Sequence, residues 1–285
     1  MLIVSLIAAA PAFAQSPAQR QPTGPRVDRG YHDHAEVGAA LAELERSFPT
    51  LVSRFSLGSS VEGRELWAVK VSAGVFLDEN EPEVLLVAGQ HAREPLSVEM
   101  ALYAARELAT GYGREPRISR LLDTREVWIV ANLNPDGSTY DTATGRHRAW
   151  RKNRQRDGGD GAVGVDLNRN WGYRWGCCRG SSRRPGSAAY RGTAAFSAPE
   201  TRHLRDFVAS RVVGGVQQIR AAVDFHSFSE LVMWPFGYTR ADLAPGLAEP
   251  DRAALAALGR QMAATNGYRA MQQSDLYLTD GTLND

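Results

Sequence analysis

Residues 83–95 read Glu83-Val84-Leu85-Leu86-Val87-Ala88-Gly89-Gln90-His91-Ala92-Arg93-Glu94-Pro95. From Glu83 to Ala88 the stretch is apolar after its first residue, the pattern of a strand buried on both faces. Pro95 is tolerated in the first turn of a helix, and the residues to Leu108 continue as one. His91 and Glu94 therefore fall at the carboxyl end of a buried strand, where α/β sheets place ligands. A histidine and a glutamate three apart on a tight turn can aim both side chains at one point. A third donor would complete an open zinc site with water in the fourth position. By itself, His-x-x-Glu is more often a satisfied surface histidine than a ligand pair.

The same alternation recurs on both sides. Glu65 to Val71 alternates like a strand, and Glu126 to Leu133 is a second buried run, closed by the turn signal Asn134-Pro135-Asp136-Gly137. Ala221 to Phe225 is another strand and ends at His226, 132 residues after Glu94. Leu231 to Phe236 reads as a further strand. Helical spacing marks Ala35 to Arg46, Ile118 to Leu122, Ala198 to Val212 (with Ser197 as cap) and Arg252 to Thr265. Strands alternating with helices predict an α/β fold with a mostly parallel or mixed sheet; the architecture expected is a single domain with a mixed central β-sheet flanked by helices. Arg148 to Arg191 is Gly- and Arg-rich and weakly periodic, a loop long enough to suggest function.

The chain has 285 residues, 43% hydrophobic and 23% charged, with a formal net charge of +1. That balance gives no field to draw it to nucleic acid or an anionic membrane, and the arginines are scattered. Leu2 to Ala10 is an apolar run too short to span a bilayer. Ala12-Phe13-Ala14 is a small-x-small cleavage pattern, so residues 1–14 read as a secretory signal. The alternative is a buried N-terminal strand. Residues 15–30 read as a disordered polar leader, and 31–285 as the folded domain of a secreted, extracellular protein. Cys177 and Cys178 are adjacent; a vicinal bridge, free thiols and intermolecular pairing are all open.

Five motifs occur in order: HARE at His91, NPDG at Asn134, RAWRKNR at Arg148, GVDLNRNW at Gly164 and DFHSFSELVMWPFGY at Asp224. Together they resemble the M14 family of zinc carboxypeptidases, the carboxypeptidase A/B type, over about Tyr31 to Asp285. The resemblance implies one zinc ion per chain, with His91, Glu94 and His226 as ligands. It implies that Asp166 hydrogen-bonds the first ligand histidine and that Arg151 polarises the scissile carbonyl. It further implies that Asn168 and Arg169 clamp the substrate's terminal carboxylate, a task suited to the planar guanidinium. Arg93 and Arg148 match arginines along the peptide path. Tyr277 matches a mobile tyrosine that closes over substrate, and Asn284 matches the floor of the pocket for the leaving side chain. The implied partners are peptides or proteins with a free C-terminal carboxylate, and the implied state is a monomer.

The resemblance also implies a general-base glutamate on a strand beyond Asp285, with a helix after it. The chain as written is therefore expected to lack that strand and helix from its sheet and core. It is expected to bind zinc and to turn over very slowly. A binder that keeps the carboxylate clamp without turnover is the alternative, and a related hydrolase of cell-wall peptides a third reading. The Asn168-Arg169 pair favours the carboxypeptidase.

Overall fold

The computed structural model describes residues 2–5, 30–157 and 161–285. The Ala12-Phe13-Ala14 cleavage pattern and nearly all of the leader lie outside the described residues. Among those described, no helix is long and apolar enough to cross a membrane.

Glu83–Val87 forms strand β4 and Glu126–Val130 forms β5, paired in parallel register. Ile219–Asp224 forms β8, parallel to β4 on its other side. Three parallel strands thus end on one edge, and their following residues emerge together: Gln90-His91, Asn132 and His226. Gly89 makes the first of these turns. Its φ is +69°, and a Cβ there would strike Asn132, so the chain bends sharply enough to bring His91 back over the sheet.

The sheet continues in mixed fashion. Val52–Ser59 (β2) pairs antiparallel with Glu65–Val71 (β3), and β3 antiparallel with β5. Beyond β8 lie Leu231–Trp234 (β9) and Arg269–Gln272 (β10), parallel to each other. Leu2–Ser5, strand β1, runs parallel to β8 and touches β9 antiparallel. The eight-stranded order is β10-β9-β1-β8-β4-β5-β3-β2. The expected gap in the sheet is absent among the described residues, because β1 supplies backbone partners between β8 and β9. A two-stranded ribbon, Val212–Val213 (β6) with Val216–Gln217 (β7), stands apart.

Each face has its own core. On one, α1 (His34–Ser47) and α2 (Pro95–Gly111) bring Val37, Leu41, Val98, Ala101 and Ala105 against Val69, Val127 and Ile129. Alanines four apart on α2 lie on one face of the helix and allow close approach to the strands. Asp33 closes a capping box with Glu36 at the start of α1, satisfying two otherwise orphan N–H groups. Pro116–Leu122 (α3) follows α2. On the other face, Pro199–Ser210 (α5) contributes Leu204, and the long loop contributes Leu167, Trp171 and Tyr190. Glu249–Ala264 (α6) covers β9 and β10 through Leu255, Ala256 and Ala263. Gln273–Leu276 is a last short turn of helix, α7.

Two local expectations are corrected. Asn134-Pro135-Asp136-Gly137 is not a turn closing the strand but the start of helix α4, Pro135–Thr142, with Asn134 capping the N–H of Gly137 at 3.0 Å. Proline at the first helical position and asparagine before it serve a helix start as well as a turn. Ser197 does not cap α5. Its Oγ instead accepts from Asn170 at 3.0 Å, and Ala198 occupies the cap position without a side-chain bond.

Candidate metal centre

Donor atoms of His91, Glu94 and His226 lie within 4.8 Å of one another, all three residues buried. Glu94 is the hinge of the group. Its Oε1 is 2.9 Å from Nδ1 of His91, and its Oε2 is 2.7 Å from Nδ1 of His226. The outer nitrogens also face acids: Nε2 of His91 is 3.2 Å from Asp166 Oδ1, and Nε2 of His226 is 2.8 Å from Asp224 Oδ2.

Those four contacts do not close with neutral imidazoles. A neutral ring has one N–H and one lone pair, so each histidine can satisfy one carboxylate and turns a lone pair toward the other. A cation between Nδ1 and Glu94 removes the conflict on both rings at once. A protonated His226 meets part of this demand: burial lowers its proton affinity, but Asp224 and Glu94 raise its pKa to about 10. Burial pushes Glu94 up, and His91 and His226 more than reverse it, holding the carboxylate ionised well below the usual range. Two nitrogens and a carboxylate oxygen, with the outer nitrogens held by acids, are a donor set that fits zinc.

Asp166 and Arg151 extend the group. Asp166 is fully buried and accepts from Arg151 through Nε at 3.0 Å and one terminal nitrogen at 2.9 Å. The other terminal nitrogen of Arg151 is 3.3 Å from Nδ1 of His91. Burial raises the Asp166 carboxyl, while Arg151, Arg169 and His91 hold it far below its ordinary value. Burial disfavours the charge on Arg151; Asp166 and Glu94 more than restore it. Arg93 lies close enough to Arg151 that burial, then Arg151, weakens its hold on its proton.

The short 3-10 turn Leu167–Arg169 carries the next two residues. Asn168 places Nδ2 at 3.1 Å from Nε2 of His226 and accepts the N–H of Leu283 at 3.0 Å. Arg169 is 4% exposed, with Nε on the Gly180 carbonyl at 3.0 Å. Leu283 brings Asn284, itself buried, to the same neighbourhood along the chain. Arg148 stands differently: its guanidinium lies 4.2 Å over the ring of Tyr140.

Sequence reasoning assigned no role to Asp224 or Gln90. Gln90 Nε2 donates to Asp224 Oδ2 at 2.5 Å, and Trp171 Nε1 donates to Gln90 Oε1 at 3.0 Å. The signal for Asp224 was present: a carboxylate two residues before a histidine at a strand end points to the same side as that histidine. Cys177 and Cys178 form the vicinal disulfide, one of the three possibilities left open.

A family model described as zinc carboxypeptidase, Peptidase_M14, matches residues 37–285. The chain belongs to the M14 zinc carboxypeptidase family. Among curated members it is 50% identical over 256 residues to a zinc carboxypeptidase of Saccharothrix mutabilis subsp. capreolus, covering 90% of this chain and 58% of that protein. It is 36% identical over 220 residues to carboxypeptidase A2 of Rattus norvegicus, covering 77% of this chain and 50% of that one. The chain thus spans about half the length of the curated relatives it matches. The crystal structure of a carboxypeptidase A from Helicoverpa armigera superposes with a TM-score of 0.75 at 29% identity, covering 89% of this chain and 60% of that one. The M14 fold is the mixed sheet flanked by helices described above.

Proposed function

We propose that this chain carries the catalytic centre of a secreted zinc metallocarboxypeptidase that releases single residues from the C-termini of peptides and proteins. The observation that carries the reading is the pair of Nδ1 atoms, from His91 and His226, held on the two oxygens of Glu94. These three residues would hold one zinc ion. When bound, the ion supplies Lewis acidity, which activates water and polarises a carbonyl.

The remaining residues divide the work. Asp166 and Asp224 fix which nitrogen of each histidine faces the metal. Arg151, already charged and oriented by Asp166, presents donors where negative charge develops on the scissile carbonyl. Asn168 and Arg169 hold the substrate's terminal carboxylate; a buried guanidinium there selects peptides that end at that point, since an internal peptide would leave the charge unpaired. Arg93 and Arg148 line the approaching peptide, and Tyr277 closes over it. The leaving side chain meets Asn284. Both polar atoms of that amide are buried without a hydrogen-bond partner among the described residues, which supports broad rather than strictly apolar or basic preference. The secretory reading adds that the mature chain begins at Gln15; removal of residues 1–14 takes β1 out of the sheet, so N-terminal sequencing of exported protein checks both statements.

The test is zinc content together with binding and hydrolysis of N-blocked dipeptides, each offered as the free acid and as the C-terminal amide. Binding is read first because none of the residues gathered here is assigned as general base. One zinc per chain and preference for the acid are expected. Equal affinity for acid and amide, or cleavage inside longer peptides, would sink the reading.

A further inference from the structure

Gly180 joins two parts of the molecule. Its carbonyl accepts Arg169 Nε at 3.0 Å, and its N–H donates to Asp280 Oδ2 at 2.8 Å, 100 residues later in the chain. The same carboxylate accepts the N–H of Gly176 at 3.2 Å, the N–H of Cys178 at 3.1 Å and the hydroxyl of Ser181. Asp280 is 0% exposed. Four donors from residues 176–181 therefore converge on one buried side chain. Only a carboxylate offers that many acceptor sites with no hydrogen of its own.

The packing allows no slack. A Cβ at Gly180 would collide with the backbone of Thr279 and Asp280. Gly281 has φ +63°, and its carbonyl accepts the N–H of Trp171 at 3.0 Å. Residues 279–281 are thus wedged between the 176–181 loop and the 169–171 segment.

We propose that Asp280 is a positioning residue for the carboxylate clamp. By gathering the 176–181 loop it fixes the Gly180 carbonyl, and that carbonyl, by holding Nε, sets the plane in which Arg169 presents its guanidinium. A planar fork loses bidentate geometry when its plane turns. Replacing one carboxylate oxygen by an NH2 group removes the acceptor of two donors, either the Cys178 and Gly180 N–H groups on Oδ2 or the Gly176 N–H and Ser181 hydroxyl on Oδ1, and the loop and the guanidinium move together. The proposal rests on the assignment of Arg169 to the substrate carboxylate.

The experiment uses the zinc-loaded chain and calorimetric binding of an N-acetylated dipeptide and of its C-terminal amide. Asp280→Asn is expected to weaken binding of the acid by about 10- to 100-fold, the size of one lost hydrogen bond to a charged group, with amide affinity and zinc content unchanged. Ser181→Ala, which removes one of the four donors, should weaken acid binding less, and it decides the matter if Asp280→Asn does not fold. The double variant with Arg169→Ala should bind the acid no more weakly than Arg169→Ala alone. If Arg169→Ala leaves acid binding untouched, the clamp assignment itself fails. If Arg169→Ala weakens it but folded Asp280→Asn and Ser181→Ala do not, or if acid and amide weaken equally, Asp280 has no such role.

Discussion

Nδ1 of His226 lies 2.7 Å from Oε2 of Glu94, a residue 132 positions earlier. The contact joins the ends of β4 and β8, two parallel strands paired in register from Val84↔Ala221 to Val87↔Asp224. The candidate metal centre is therefore held by the sheet, and its loss should be felt in both binding and stability.

His226→Ala should abolish stoichiometric zinc, measured by elemental analysis after dialysis, while the circular dichroism spectrum stays native. In the parent chain, chelation should lower the melting temperature. Zinc at about 1,000 times its dissociation constant stabilises the folded state by about 4 kcal/mol. A chelator that leaves the melting temperature unmoved argues against metal at this site.

Asp224→Asn should keep the three ligands and weaken zinc about 10- to 100-fold, the usual cost of losing a carboxylate behind a ligand histidine. The asparagine can no longer hold Nε2–H as an anion, so Nδ1 is less firmly presented. Competition with a chromogenic chelator reads this directly. Unchanged affinity would show that Asp224 serves the sheet edge alone.

At the opposite end of the strands, Arg211 pairs with Glu83 at 2.6 Å and with Glu126 at 3.4 Å, and also binds Asp78; Lys70 pairs with Glu126 at 2.6 Å. Glu83 and Glu126 are fully buried. These acids form a cluster that could hold a cation, but Arg211 and Lys70 already supply the charge. Arg211→Met strands the buried Glu83 carboxylate, while Glu126 keeps Lys70, and should destabilise the fold by about 3–5 kcal/mol. Urea unfolding gives the number, and a loss below about 1 kcal/mol would contradict this account.

Glu200 is fully buried, with Asn153 Nδ2 on Oε2 at 2.9 Å and the Val61 N–H on Oε1 at 3.3 Å. Burial pushes its pKa from 4.5 up to about 7. Between those values the folded chain holds a proton that the unfolded chain has released, so stability falls as pH rises and levels off above about 7. Glu200→Gln stays neutral and lacks this slope. Its stability relative to the parent should grow from pH 4.5 to 7, by on the order of 3 kcal/mol. Parallel pH profiles for the two proteins would remove Glu200 as the cause.

The local pieces were readable because their cause is local. Val84 to Ala88 is apolar enough to be a strand and Pro95 opens a helix, so His91 and Glu94 had to sit at a strand end. The elements that escaped are those whose burial is mixed. β2 has one buried residue at its start and partly exposed ones after it, and β10 is four residues with one buried. Asp280 carried no local signal, because its partners are 100 residues away.

By itself the sequence determined the chemistry on offer: two histidines and a glutamate, placed near strand ends by periodicity and turn residues, and acids and arginines in a long, weakly periodic loop. Only the tertiary structure decided which of them meet. Parallel pairing of β4, β5 and β8 sets the distances between residues far apart in the chain, and a buried carboxylate finds its partners by close packing, which sequence spacing does not record.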